Sequence, residues 1–277
     1  MPCLYDFSLH PFEMSQQLRN KNIVIIGGTT GIGLSAAKAF IDEGAKVIVV
    51  GRNKENVGKA KDELKKNAEG VVADARDVGT AVNAINICLE KFGGFDGLYH
   101  VAGGSGRRMG DGPLHELSLD GWNKTLELNL TSLMLSNQAA VKKFLELKKP
   151  GTILNMGSVL GFSPSPKYFA THSYSAAKSA IIGFSKSIAA YYAKDNIRVN
   201  VIAPSVAKTP MAQRAANDKE ILSFLKTKQP LDGGRIGRPS DSDGLAIYFM
   251  SDHSKFTTGQ IVAVDGGWDL SEGQYSK

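Results

Sequence analysis

A short apolar run followed by closely spaced glycines occupies residues 21–33, which read KNIVIIGGTTGIG. The run Ile23–Ile26 has the length and the branched side chains of a strand buried on both faces. The glycines let the backbone approach a ligand that a Cβ would hold away, and the helix after them points free N–H groups at that ligand. This unit predicts a dinucleotide phosphate site, with a plain tight turn as the alternative. The predicted contacts are Gly27, Thr29, Thr30, Gly31, Ile32 and Gly33.

The same order of apolar run, turn and helical segment recurs along the chain. Because helices alternate with seven such runs, we predict an α/β fold with a parallel sheet, right-handed crossovers and helices on both faces. No repeat or linker interrupts the pattern, so one doubly wound domain is expected over 21–277, after a short extension over 1–20. Residues 205–240 form a longer connection, either a helical crossover with a loop or a lid over the substrate. The predicted strands are Ile23–Ile26, Lys46–Val50, Val71–Ala73, Leu98–Val101, Thr152–Met156, Arg198–Ile202 and Ile261–Val264.

The composition is that of an ordinary globular protein. With 42% hydrophobic residues among 277, the chain is long and apolar enough for a sizeable core. The net charge of +6 is spread thinly, which argues against nucleic acid binding. No run approaches a membrane span, and the N-terminus does not resemble a signal peptide. Cys3 and Cys88 provide no disulfide framework, so we expect a cytoplasmic protein that binds neither nucleic acid nor membrane.

The end of the second predicted strand bears on the choice between NAD(H) and NADP(H). An acidic residue there would bind the ribose hydroxyls of NAD(H) and repel a 2′-phosphate. Here Gly51 and Arg52 follow the strand, and a guanidinium can fork onto a phosphate. We therefore predict NADP(H), with NAD(H) as the alternative if Arg52 points into solvent. Asp74, after the third strand, either accepts a hydrogen bond from the adenine amino group or caps the next turn.

Tyr174 and Lys178 stand four residues apart in a helical segment, which puts both side chains on one face. A nearby ammonium stabilises a phenolate and lowers the pKa of the phenol, which suits the pair to proton transfer. The pattern alone is short, but its helix follows the fifth predicted strand, whose carboxyl end carries Ser158 to the same edge of the sheet. The three side chains predict an acid–base site, and no metal is predicted.

Together these motifs resemble the short-chain dehydrogenase/reductase family, whose single domain is built on the Rossmann-type fold, and the resemblance extends from about Asn20 to Asp269. Three family motifs differ: Ile26 replaces the Thr before the glycine turn, the Asn-Asn-Ala-Gly segment reads HVAG at residues 100–103, and the Pro-Gly pair reads Pro204-Ser205. The C-terminal signature is present as TGQ at 258–260 and DGG at 265–267. The family's catalytic positions fall on Asn129, Ser158, Tyr174 and Lys178.

The resemblance implies an NAD(P)(H)-dependent oxidoreductase acting on ketones or secondary alcohols, with ketone reduction favoured. Tyr174 would be the general acid in reduction and the base in oxidation, Ser158 would hold the substrate oxygen, and Lys178 would anchor the ribose and tune Tyr174. Asn129 would support a water that relays protons through Lys178. The resemblance places Tyr174 and Lys178 at the cofactor too, and completes that site with Ala75, Ala102, Gly103, Pro204, Val206 and Thr209.

Two stretches concern the substrate side. Ser158 and Tyr174 are 16 positions apart, further than is usual in the family, so the extra length within Phe162–His172 is expected to reshape the substrate mouth. The loop after the fourth strand carries Arg107 and Arg108, either of which would grip an anionic group of a small-molecule substrate. The alternative is a flexible, solvated loop.

His100 stands where the family has Asn, and we expect it to pack beneath the cofactor site rather than touch the cofactor. Two other functions stay open: reduction of an enoyl- or dienoyl-thioester, and a nucleotide-sensing scaffold without catalysis. The family usually assembles as tetramers through two long helices. Residues 118–147 and 173–193 are rich enough in Leu, Ala and Ile to bury such a face, so a homotetramer is expected.

Overall fold

Seven parallel strands form one continuous sheet in the computed structural model, which describes residues 16–273. Their order is β3-β2-β1-β4-β5-β6-β7, so the chain builds outward from β1 to one edge and then crosses back to build the other. This order confirms the predicted doubly wound α/β sheet. The strands are β1 (Asn22–Ile26), β2 (Lys46–Gly51), β3 (Ala68–Val72), β4 (Gly97–His100), β5 (Gly151–Met156), β6 (Ile197–Pro204) and β7 (Ile261–Val264).

Helices connect the strands and cover both faces of the sheet. The α-helices are α1 (Gly31–Asp42), α2 (Lys54–Leu64), α3 (Thr80–Phe92), α4 (Leu119–Leu126), α5 (Ser132–Leu147), α6 (Pro166–Phe169), α7 (His172–Tyr192), α8 (Gln213–Asn217), α9 (Lys219–Lys228), α10 (Leu231–Gly234) and α11 (Asp243–Met250). A π-helical turn, Glu127–Thr131, joins α4 to α5. Helices α1, α2 and α11 pack on one face, and α3, α5 and α7 pack on the other.

Short 3₁₀ turns complete the connections. They are Lys65–Asn67, Arg107–Met109, Val159–Gly161, Ala193–Asp195, Pro210–Ala212, Pro239–Ser242 and Asp252–Ser254. Three of them follow β4, β5 and β6 at the carboxyl ends of the strands, where the predicted site residues also lie.

The central strand β1 is buried on both faces, as its apolar run predicts. Val24 packs against α3 and α5, whereas Ile25 packs against α1 and α11, and both side chains are fully buried. Successive strand side chains point to opposite faces, so an uninterrupted apolar run is what a doubly covered strand needs.

The third strand lies earlier than predicted. It spans Ala68–Val72 rather than Val71–Ala73. The predicted boundary is wrong because a charged residue such as Glu69 is typical of a loop. In the structure the Glu69 carboxylate forms ion pairs with Lys61 and Lys91 at the edge of the sheet. Ion pairing lets a charged residue lie within this edge strand.

The packed domain begins ahead of the predicted start at residue 21. Leu18 is fully buried in the core, and its N–H donates to the Glu43 carbonyl oxygen over 3.0 Å. Cys3 and the other residues of 1–15 lie outside the described part of the chain. Cys88 is a free, buried thiol on α3. Within residues 16–273, no helix has the length and apolarity to cross a membrane, and no cluster of side chains could hold a metal.

The longer connection after β6 is mostly helical and lies at the carboxyl edge of the sheet. Its helices α8 and α9 bury Ala215, Ile221 and Leu225 against Trp268 and against Val159, the residue after Ser158. The connection therefore packs on the same edge as the predicted catalytic side chains.

Candidate active site

The turn after β1 runs too close to neighbouring backbone to carry side chains. A Cβ on Gly27 would lie 2.6 Å from the Ala102 nitrogen, and Gly27 has a φ of +88°. A Cβ on Gly33 would lie 2.1 Å from the Gly27 carbonyl oxygen. Glycine is thus required at both positions, and the turn contacts the loop after β4, where the strand order reverses.

The first turn of α1 offers donors to an anion. Thr30 precedes the helix with extended backbone, its side chain accepts no hydrogen bond from the helix, and the first turn holds no acidic residue. The first N–H groups of a helix have no acceptor within the helix. A Cβ on Gly31 would lie 3.2 Å from Thr209 Cγ2, so the predicted nicotinamide contact borders the turn. Bare glycines and free N–H groups fit a dinucleotide pyrophosphate.

The carboxyl end of β2 carries a guanidinium and no carboxylate. The Arg52 side chain is 59% exposed, and its Nη1 lies 3.8 Å from Asp74 Oδ2. Asp74 is held mainly by Arg76, which donates from Nε over 3.1 Å and from Nη2 over 2.8 Å. Hydrogen bonding to Arg76 lowers the pKa of Asp74, so this carboxyl is ionised at neutral pH. The sequence analysis missed Arg76.

Asp74 also caps the next turn, one of its two predicted roles. Its Oδ1 accepts the backbone N–H of Arg76 over 3.0 Å. Gly51, at the end of β2, leaves room for Thr29: a Cβ there would lie 2.3 Å from Thr29 Oγ1. A carboxylate side chain at position 51 is therefore incompatible with the present position of Thr29.

Ser158, Tyr174 and Lys178 converge at the carboxyl end of β5. Ser158 follows the strand, and α7 carries Tyr174 and Lys178. The Ser158 side chain acts on the Tyr174 phenol and lowers its pKa, and Ser158 Oγ accepts the Leu160 N–H over 3.2 Å. Lys178 Nζ donates to the Met156 carbonyl oxygen over 2.7 Å and lies 5.5 Å from the centroid of the Tyr174 ring. The structure thus brings the three predicted acid–base residues together.

Burial governs the proton affinities of this cluster. Tyr174 is 8% exposed and Lys178 is 3% exposed. Burial raises the pKa of Tyr174, and the Ser158 side chain acts in the opposite direction. Burial lowers the pKa of Lys178 to about 7, because an ammonium is poorly solvated there. Lys178 is therefore poised to exchange a proton near neutral pH.

Asn129 holds the loop after β4 against the π-helical turn. Its Nδ2 donates to the carbonyl oxygens of Gly104 and Thr125 over 2.9 Å each, and its Oδ1 accepts the Gly104 N–H over 3.0 Å. Both amide hydrogens are thereby engaged, and only Oδ1 retains a free lone pair for a water. A Cβ on Gly103 would lie 2.7 Å from Asn129 Oδ1 and 3.8 Å from Lys178 Nζ. The predicted cofactor residue Gly103 thus borders both side chains.

His100 is buried beneath the carboxyl end of β4, in the packed position expected for this residue. It is 1% exposed, and its Nδ1 lies 2.7 Å from Ser136 Oγ on α5. Burial, and secondly the charge of Lys178, lower the pKa of His100 to about 3, so the imidazole is neutral. Its role here is structural.

Asp111 is a site residue that the sequence analysis missed. Its carboxylate accepts the N–H groups of Ser173 and Tyr174 over 3.0 Å each, and it is 5% exposed. Thr171, the N-cap of α7, accepts no hydrogen bond from the helix through its side chain, and Asp111, in a distant loop, caps the helix instead. An acid within a glycine-rich loop is the signal in the sequence, but nothing local identifies the helix that it caps.

The two predicted substrate arginines differ in environment. Arg107 is partly buried and donates to the Tyr168 carbonyl oxygen over 3.0 Å. Arg108 is exposed and donates no hydrogen bond within the described residues. The insertion between Ser158 and Tyr174 forms α6, which supplies Tyr168. At Arg107 the loop is therefore anchored rather than freely solvated.

Comparisons with known proteins agree with this fold. The family model described as enoyl-(acyl carrier protein) reductase matches residues 27–269. A 2,5-dichloro-2,5-cyclohexadiene-1,4-diol dehydrogenase of Sphingobium indicum is 32% identical, over 93% of this chain and 99% of that protein. An NADP-dependent (R)-specific alcohol dehydrogenase of Lentilactobacillus kefiri is also 32% identical, over 92% and 99%.

A solved structure shares the whole architecture. The short-chain type dehydrogenase/reductase from Mycobacterium ulcerans superposes with a TM-score of 0.84 at 26% identity, covering 92% of each chain. The chain belongs to the short-chain dehydrogenase/reductase family, as its motifs predict. It is a nicotinamide-dependent oxidoreductase that acts on alcohol and carbonyl groups.

Proposed function

We propose that the protein reduces a ketone to a secondary alcohol with NADP(H), and that Tyr174 is the proton donor. The observation that carries this proposal is the buried cluster of Ser158, Tyr174 and Lys178, in which Lys178 Nζ lies 5.5 Å from the centroid of the Tyr174 ring. A hydroxyl pair can hold a carbonyl oxygen, and the phenol can deliver a proton to it.

The residues of the site have different roles in carbonyl reduction. Ser158 donates a hydrogen bond to the substrate oxygen, Tyr174 gives its phenolic proton to that oxygen, and Lys178 binds the cofactor ribose and stabilises the resulting phenolate. Alcohol oxidation runs the same proton transfer backwards, with Tyr174 as the base. Asn129 positions the loop at Gly103 and offers Oδ1 to a water in the proton path. When bound, the nicotinamide supplies or accepts the hydride.

Arg52 favours NADP(H) over NAD(H). Its side chain projects at the end of β2, where the strand itself carries no acidic residue, and the guanidinium, 3.8 Å from Asp74, can fork onto a 2′-phosphate. The NADP dependence in the name of the Lentilactobacillus relative supports this choice. Asp74 would bind the adenine amino group, Ala75, Ala102 and Gly103 would border the adenosine and ribose, and Pro204, Val206 and Thr209 would hold the nicotinamide.

A second function has one observation in its favour. The matching family model is described as an enoyl-(acyl carrier protein) reductase. Reduction of a carbon–carbon double bond delivers the proton to carbon, whereas the Ser158–Tyr174 pair suits protonation of an oxygen. We therefore rank carbonyl reduction first, and a thioester panel distinguishes the two.

The test measures NADPH oxidation with ketones and enoyl-thioesters for the wild type and for Tyr174→Phe. We expect ketone turnover, and we expect the variant to lose at least about 100-fold in kcat while it still binds NADPH. Tyr191→Phe is the matched control, since Tyr191 is an exposed residue of the same helix. Ketone turnover that survives in Tyr174→Phe would remove Tyr174 from its role. Binding of nucleotide without turnover of any substrate would favour a sensing scaffold.

We also propose that the protein is a homotetramer. Three small residues of α7 are exposed, Ser179, Ala180 and Gly183, and so are the apolar side chains of Leu145 on α5 and Phe256 before β7. Contacts through these helices would cover that surface. The mass in solution, measured by light scattering on a sizing column, decides this point: a monomer would contradict it.

A further inference from the structure

Two guanidinium groups converge on one backbone oxygen. Arg107 Nη2 donates to the Tyr168 carbonyl oxygen over 3.0 Å, and Arg214 Nη2 donates to the same oxygen over 2.7 Å. The three residues come from the loop after β4, from α6 and from α8. Because these segments are distant in the sequence, only the fold brings the pair together.

The pair carries two positive charges beside a single nearby negative charge, that of Asp111. Neither guanidinium forms an ion pair with a carboxylate within residues 16–273. Asp111 is the acidic group that acts on Arg107, and its oxygens are already occupied by the N–H groups that begin α7. Burial, and secondly the charge of Arg214, lower the pKa of Arg107, so the pair repels itself in the absence of an anion. An oxyanion bound between the two groups would relieve that repulsion.

The pair also has more donors than acceptors. Each guanidinium has five N–H donors, whereas a carbonyl oxygen has two lone pairs, which Arg107 and Arg214 fill between them. Arg107 is partly buried, so its remaining donors have limited access to bulk water. The Arg214 guanidinium carbon lies 5.6 Å from the centroid of the Phe169 ring, and Phe169 packs edge-on against Trp268. An apolar base thus supports the outer guanidinium.

The segments that carry the pair border the reacting groups. The Arg107 loop includes Gly103 beside Lys178 and continues to Asp111, which holds the Tyr174 N–H. Tyr168 lies in the insertion between Ser158 and Tyr174. Ala215, which follows Arg214, shares an apolar cluster with Val159, which follows Ser158. The arginine pair and Tyr174 are therefore linked through shared segments at the carboxyl edge of the sheet.

We propose that Arg107 and Arg214 form a binding site for an oxyanion group of the substrate, a carboxylate, sulfonate or phosphate remote from the reacting carbonyl. This inference rests on the proposed function, since it names the substrate class of the same site. Arg214 becomes a specificity residue that the motifs do not reveal. The exposed Arg108 takes no part.

The test compares a ketone bearing a carboxylate with its methyl ester and with its sulfonate analogue. The variants are Arg214→Ala and Arg214→Lys, with Lys219→Ala as a control that removes an exposed positive charge from the next helix. For the acid, kcat/KM should fall roughly 10- to 100-fold in Arg214→Ala, mainly through KM, and Arg214→Lys should restore part of it. The ester and Lys219→Ala should be little affected.

Each outcome bears on one claim. Equal responses of acid and ester to Arg214→Ala, or a wild type that does not prefer the acid, would overturn the oxyanion site while carbonyl reduction stands. Similar decreases in kcat/KM for the carboxylate and the sulfonate would show a general oxyanion site. A decrease for only one of them would show which oxyanion group the site binds. Absence of any ketone turnover would overturn the proposed function instead. In that case the affinities of the acid and the ester for the enzyme–NADPH complex are measured through the nucleotide fluorescence. Tighter binding of the acid would support the oxyanion site, and equal binding would overturn it.

Discussion

The Asp111 carboxylate accepts the backbone N–H of Tyr174 over 3.0 Å, and so fastens a loop of the substrate side to the residue that we propose as the proton donor. The same carboxylate accepts the N–H of Ser173. An ionised acceptor at the first turn of a helix satisfies free donors and compensates the positive end of the helix dipole. Asp111 is thus a positioning residue for α7.

Replacing the Asp111 carboxylate tests whether it positions α7 and Tyr174. We expect Asp111→Asn to lower the free energy of unfolding by about 1–2 kcal/mol, because a neutral amide is a weaker acceptor at a helix N-terminus. Loss of the negative charge should also lower the pKa of Tyr174 and move the alkaline decline of ketone reduction to lower pH, since reduction needs the protonated phenol.

The measurements are chemical denaturation and a pH profile of kcat. Asp62→Asn is the control, since Asp62 is an exposed acid on α2. A variant that loses stability but keeps the pH profile of the wild type would limit Asp111 to a structural role.

The burial of Lys178 predicts a pH-dependent stability. Its pKa is about 7 in the folded protein and 10.5 as the reference for the unfolded chain. Between these values the unfolded chain holds a proton that the folded protein has released, so stability rises with pH, by up to about 1.4 kcal/mol per pH unit. The buried charge is costly below pH 7, and the gain is complete above about 10.5.

Comparison with Lys178→Met isolates this effect. The melting temperature of the wild type relative to that of the variant should rise steadily from pH 7 to pH 10, whereas the variant lacks the titrating amine. A constant difference between the two proteins across that range would show that Lys178 stays charged in the fold.

The glycine turn allows a steric test of cofactor binding. Gly33→Ala places a Cβ against the Gly27 carbonyl oxygen, so the backbone of the turn must shift. We expect NADPH affinity to fall at least about tenfold, because the turn and the first N–H groups of α1 act together. Gly58→Ala in α2 meets no neighbouring atom and should be neutral or slightly stabilising. Titration with NADPH measures both, and unaltered binding by Gly33→Ala would place the phosphates elsewhere.

Cofactor choice depends on one exposed guanidinium. Arg52→Ala should weaken NADPH binding about tenfold and leave NADH binding nearly unchanged, because the 2′-phosphate that Arg52 would bind is present in NADPH and absent from NADH. Lys54→Ala, two positions further along, is the control for a lost charge. Equal effects on the two nucleotides would mean that Arg52 does not contact a 2′-phosphate.

Features carried by contiguous stretches could be predicted from the sequence. The glycine turn and the Tyr174–Lys178 pair each lie within one turn or one helix, so their spacing determines their geometry. The doubly wound parallel sheet followed from the alternation of apolar runs with helices. In these parts of the protein, the local sequence and the overall fold specify the same structure.

The contacts between distant segments could not be predicted. Asp111 and Tyr174 are 63 positions apart, and Arg214 meets Tyr168 across 46 positions. These contacts depend on the conformations of the loops at the carboxyl edge of the sheet. The spacing of apolar residues in the sequence predicts helices and strands but not loop conformations. Arg76 could not be singled out for a related reason. In the sequence it resembles any other charged surface residue, and only the structure shows its two side-chain hydrogen bonds to Asp74.

The central claim is hydride transfer to a ketone at the Tyr174 site, and isotope transfer tests it most directly. The purified protein would be incubated with NADPH deuterated at either face of nicotinamide C4 and with ketones that include carboxylates. The account predicts that one of the two labelled cofactors places a single deuterium on the carbinol carbon of the product, and that Tyr174→Phe abolishes the transfer. Oxidation of NADPH without deuterium in any product, or undiminished transfer by Tyr174→Phe, would contradict it.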